Sequence, residues 1–127
     1  MKYIVESEKS LEQAAADLEA AVANHQFGVL HVHDLQATLI NKGFDFPHGC
    51  RVFEVCNPRQ ADRVLNDDMS LNMALPCRIS VWEEDGTTKI GMLSPRDLLA
   101  MLSDSEVLAK VAAEVEETTT AIINEAK

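Results

Sequence analysis

The chain has 127 residues, the usual size of one domain, long enough to bury roughly two-thirds of the surface that its unfolded form exposes. With 46% hydrophobic and 25% charged residues it lies far from disordered compositions, so one folded domain over residues 1–127 is expected without disulfide staples. A net charge of −10 repels phosphate backbones and anionic lipid headgroups, which argues against nucleic-acid binding, and no run approaches the ~20 apolar residues of a membrane span.

The start, Met1 to Glu6, is too short an apolar stretch for a secretory signal, so a cytoplasmic location is expected. Cys50, Cys56 and Cys77 are odd in number and lack CxxC spacing, which suits reduced thiols.

Residues 2–6 read as a short strand. Ser10 then caps a helix carrying Leu11, Ala14, Ala15, Leu18 and Val22 at helical spacing, with Gln13 placed for a capping box. Phe27 to His33 is β-branched enough for a strand, and residues 35–42 form a short helix ending at Gly43. After a Pro- and Gly-containing loop, Arg51 to Cys56 is a strand, and Asn57-Pro58 starts a helix with Asn as N-cap and Pro in its first turn. Asp67 to Pro76 reads as a loop or irregular turn. Cys77–Glu83 and Thr87–Leu93 form a hairpin across Asp85-Gly86, a preferred turn pair. Ser94-Pro95 opens a helix with Leu98, Leu99 and Leu102, and the last helix places Val107, Leu108, Val111, Val115, Thr118 and Ile122 on its buried stripe. The order β-α-β-(α)-β-α-β-β-α-α predicts an α/β (α+β) two-layer sandwich, a mainly antiparallel sheet with helices on one face.

Strand alternation sorts side chains between the two faces. It groups Leu30 with Val32 against Val29, His31 and His33, and Phe53 with Val55 against Val52, Glu54 and Cys56. In the next strand it groups Cys77, Ile79 and Val81 against Arg78, Ser80 and Trp82. Turning the apolar sets toward the helices leaves a second face with His31, His33, Glu54, Cys56, Arg78, Ser80 and Trp82, a mixture suited to a small-molecule pocket or a polar dimer interface.

His31, His33, Glu54 and Cys56 are competent metal ligands, but a HxH strand without a third matched ligand is common by chance, and two histidines hydrogen-bonded on a half-exposed face are the favoured reading. His25 and His48 fall in turns, as surface residues. Cys56 directly precedes a helix start whose N–H groups would stabilise a thiolate, with Arg59 and Arg63 adding positive charge, so a nucleophilic or redox thiol is one reading and a small buried hydrophobe the other. Met69, Met73 and Met92 read as core filler, and the acids of the last helix, Glu114 and Glu116 among them, as a solvated face.

The segments Val52-Phe53-Glu54-Val55-Cys56-Asn57-Pro58 and Leu75-Pro76-Cys77-Arg78-Ile79, with Gly28-Val29-Leu30 and Lys42-Gly43, resemble the domain-of-unknown-function family 302 over roughly residues 3–101. The loop Asp67-Asp68-Met69-Ser70-Leu71 lacks the proline and glycine expected of many members. The resemblance implies a fold like one copy of the TATA-binding-protein repeat, β-α-β4-α with extra helices, as a homodimer, and no established activity. The TATA-binding-protein topology does not bring DNA binding with it, because function lives in sites.

The leading expectation is therefore a dimeric binding protein with His31, His33, Glu54, Cys56, Asn57, Cys77 and Arg78 as candidate ligand-binding residues. A small anion, a metal or a haem-like cofactor are the ligands it would take. The rivals are a thiol-dependent enzyme or redox carrier using Cys56, and an interaction module without a ligand.

Overall fold

Five strands alternate with helices in a computed structural model that describes residues 1–127. The strands are β1 (Lys2–Ser7), β2 (Gly28–Asp34), β3 (Cys50–Cys56), β4 (Cys77–Glu84) and β5 (Thr87–Leu93). The helices are α1 (Leu11–Asn24), α2 (Leu35–Asn41), α3 (Pro58–Asp67), α4 (Pro95–Leu102) and α5 (Glu106–Ala126). Every strand pairing is antiparallel, and the sheet order is β1-β5-β4-β3-β2. The expected two-layer architecture is present.

Local chemistry sets the helix starts. Ser10, Asp34, Asn57, Ser94 and Ser105 each accept a backbone N–H of the first turn, satisfying donors that have no partner inside the helix. At Ser10 only half of the capping box forms: the Gln13 N–H donates to Ser10 Oγ at 3.1 Å, while the Gln13 side chain donates to Asp17 at 2.9 Å. The β4–β5 turn takes positive φ at Asp85 (53°) and Gly86 (78°), the geometry for which Asp-Gly is suited. Residues 69–74, expected as irregular, form a 3-10 helix whose start is capped by Asp68.

The core lies between the sheet and α1, α3 and α5. Phe53, Val55, Ile79, Val81 and Ile90 project from the sheet onto Leu18, Val22, Val111, Ile122 and Ile123. Alanines 14, 15, 21, 112 and 126 are buried there as well, small side chains that let the helices approach closely. Helix α5 is tied to its neighbours by Arg63 Nη1–Glu114 (2.7 Å), by a hydrogen bond from Ser94 to Glu116, and by Asn24 and His25 on Glu125. Glu114, Glu116 and His25 are thus engaged in packing contacts, whereas their sequence read as solvated surface.

Three assignments of buried positions change. Val107 is 53% exposed and Thr119, rather than Thr118, is buried on α5, because the stripe follows the drift of a 3.6-residue helix. Met69 and Met73, on the 3-10 helix, are exposed, while Met92 is in the core. In β2 a bulge between Val29 and His31 turns Leu30 to solvent, so Val29 points to the core with Val32 and is separated from the histidines. No helix is long and apolar enough to cross a membrane.

Candidate functional site

The sheet face away from α1 and α5 is organised by register into rows. One row runs Ile4, Gly91, Ser80, Val52, His33, and a second runs Glu6, Lys89, Trp82, Cys50. A third joins Lys2 to Leu93 and Arg78 to Glu54 and His31. The β4–β5 pairing ends at Ser80–Gly91, so Arg78 and Leu93 lie beyond the paired stretch, near the ends of their strands. Ile4 and Leu93 are exposed on this face, Val52 and Trp82 half-buried.

Beyond Lys2, Leu93 and Arg78 the sheet ends, where β3 finishes, β4 and β1 begin and β5 finishes. A groove of about 1080 Å³ opens there. It passes from the open face around the Leu75–Pro76 segment, between α3, the 3-10 helix and α4, as far as Val111, Val115 and Thr119 of α5. Hydrophobic side chains make up 21 of its 31 lining residues, so an occupant is held chiefly by excluded water. The only charged groups in the lining are Lys2 and Arg78, both cationic in a chain of net charge −10. Neither takes part in an ion pair.

The structure divides the seven candidate residues between two places. Cys56, Asn57, Cys77 and Arg78 line the groove. His31, His33 and Glu54 lie outside it, together near the β2 edge: the histidine ring centroids are 4.4 Å apart and His33 Nε2 is 3.4 Å from Glu54 Oε1. No group of three or more His, Cys, Asp or Glu side chains converges as a metal ion requires.

Burial raises the pKa of all three thiols. Cys77 is pushed up to about 11 by desolvation, with the nearby Cys56 adding to it. Cys50 is raised by burial and by Asp34, and Cys56 by burial. The depressed Cys56 pKa suggested by its place before α3 is therefore reversed. The Asn57 carboxamide takes the first N–H groups of that helix, those of Arg59 (3.0 Å) and Gln60 (3.2 Å), and Arg63 is held by Glu114. The helix-start N–H groups and Arg63 are thus engaged elsewhere, and burial sets the direction for Cys56.

The sequence reading missed Lys2 and the walls supplied by Leu71, Ala74, Leu98 and Leu102. The visible signal was the surplus of leucines in Pro95–Leu102, more than one buried stripe uses: Leu99 is buried and Leu102 is 52% exposed.

The family described as Domain of unknown function DUF302 matches residues 3–126. The chain belongs to this family. It is also similar to the crystal structure of an uncharacterised conserved protein DUF302 from Bacillus stearothermophilus, with 34% identity and a TM-score of 0.94 over 99% of this chain and 98% of the other. No curated protein matches. The two segments that carry the family resemblance become neighbouring strands, β3 and β4, and their ends at Cys56-Asn57 and Pro76-Cys77-Arg78 form the rim of the groove. Neither the family nor the related structure has an assigned activity.

Proposed function

We propose that this member of the family is a cytoplasmic, homodimeric small-ligand-binding protein whose site is the groove at the end of the sheet. The observation that carries this reading is the groove itself: about 1080 Å³, mostly apolar, with Cys56, Asn57, Cys77 and Arg78 on its lining. Ligand sites generally have this makeup, an apolar enclosure with a few polar groups that orient the ligand. The unpaired cysteines suit a reducing compartment.

The homodimer is supported by the open sheet face, where Ile4 (47% exposed) and Leu93 (53%) flank Gly91 and Trp82 while all of the core packing lies on the other side. The succession β1-α1-β2-β3-β4-β5-α5, with α2, α3 and α4 inserted, suits the single-copy TATA-binding-protein-like arrangement that the resemblance implied. A second copy seated on the open face would roof the groove mouth.

Titration with the apolar fluorophore 1-anilinonaphthalene tests the site. Saturable binding that is lost in Leu98→Trp, which places an indole in the groove from a half-exposed helix position, is the expected result. Unchanged binding in that variant, with its circular dichroism intact, would remove the groove as the site. Light scattering should give twice the chain mass, and a monomer mass for the unaltered protein would remove the dimer.

A further inference from the structure

The charge distribution of the groove narrows the class of ligand, and this step rests on the groove being the binding site. In a chain with 21 acidic and 11 basic side chains, a random stretch of lining would carry more carboxylates than cations. The groove carries none: its charged groups are Lys2 and Arg78 alone. Both are exposed, neither has an ion-pair partner, and Leu93, which pairs with Lys2, lines the same groove as Arg78. Only β5 lies between β1 and β4, and long, flexible lysine and arginine side chains on those two strands can converge on one small head group. The acid that register sets opposite Arg78 is Glu54, and its carboxylate faces His33.

Behind those cations the lining is chiefly apolar and carries no further charge. Leu71, Leu75, Leu98 and Leu102 flank the passage to Val111 and Val115 of α5. A wholly polar anion would strip water from these side chains without replacing it, and a wholly apolar molecule would leave both cations unused.

We infer that the groove takes an amphipathic organic anion, with its carboxylate-like head on Lys2 and Arg78 above Leu93 and its hydrocarbon body between the 3-10 helix and α4. The guanidinium of Arg78 provides two parallel donors for a carboxylate, and Lys2 adds a point charge.

Calorimetric titration of the unaltered protein at low salt with dodecanoate, dodecanol and dodecyltrimethylammonium, each below its micelle concentration, separates the contributions. Dodecanoate should bind about tenfold more tightly than dodecanol, and the cation more weakly than either. Arg78→Gln should abolish most of the preference for dodecanoate while leaving dodecanol affinity unchanged, and Arg78→Lys should restore part of it. Lys2→Gln should act in the same direction, and added salt should weaken dodecanoate alone. Equal affinity for the three, or tightest binding of the cation, overturns the anion assignment while leaving the groove as a binding site. Failure of all three to bind overturns both.

Discussion

Glu54 and Arg78 stand directly across from one another on β3 and β4, yet they form no ion pair, because the Glu54 carboxylate lies 3.4 Å from His33 Nε2 on the opposite neighbouring strand. The pair that the sheet register offers is thereby left open, and Arg78 keeps its donors free at the groove mouth. Glu54→Gln is expected to leave dodecanoate affinity unchanged or raise it about twofold, since it removes a neighbouring negative charge. Stability should change by less than about 1 kcal/mol, the usual scale of a partly exposed pair. A loss of affinity comparable to that of Arg78→Gln would show that Glu54 and Arg78 act as one unit.

Asn57 anchors the start of α3 and lies on the groove wall. Asn57→Ala leaves the Arg59 and Gln60 N–H groups without their acceptor and should cost about 1 kcal/mol, seen as a fall of roughly 3–5 °C in Tm. Asn57→Asp and Asn57→Ser keep an acceptor oxygen and should retain most of that stability. Equal losses in all three variants would mean that the side chain matters for something other than the cap.

Gly49 is buried just before β3. A Cβ placed there would meet Leu11 Cδ1 at 2.8 Å and the Glu83 carboxylate. The carboxylate is the mobile end of an exposed side chain and can swing aside, whereas Leu11 is buried in the core. Gly49→Ala should therefore destabilise by about 1–3 kcal/mol through overpacking. Denaturant unfolding in a double-mutant cycle should show partial rescue by Leu11→Ala and none by Glu83→Ala.

Cys77 gives a pH dependence whose sign follows from its raised pKa. Between the ordinary value of 9.0 and about 11 the unfolded chain releases the thiol proton while the folded chain holds it. The contribution is complete below pH 9 and disappears as pH rises through about 11, a change of about 3 kcal/mol. Comparing the unaltered protein with Cys77→Ala at pH 8 and at pH 11 isolates it from the other groups that ionise there. The stability difference between the two proteins should shrink as pH rises, and a constant difference would refute the assignment. The same burial predicts slow alkylation at neutral pH, with Cys77 slowest of the three thiols.

How much of this was readable from the chain depends on the range of the forces involved. The capped helix starts at Ser10, Asn57 and Ser94, and the Asp85-Gly86 turn, are visible because their stabilising hydrogen bonds and backbone angles involve residues a few positions apart. Alternation in β3 and β4 was enough to place Glu54, Arg78, Ser80 and Trp82 on one face, since a strand without a bulge has no freedom to do otherwise. In β2 the same rule failed at Val29, where one extra residue reversed the facing.

The site belongs to the other category. Lys2 and Arg78 are far apart in the chain and line one groove only because the sheet brings β1 and β4 to either side of β5. The exposed leucines of α4 become a groove wall only when the 3-10 helix lies opposite them, and the Cys56 thiol is pushed up rather than down because packing buries it. Short-range chemistry was legible residue by residue. Which charges go unpaired, and which apolar surface stays open, depended on long-range packing that no local pattern encodes.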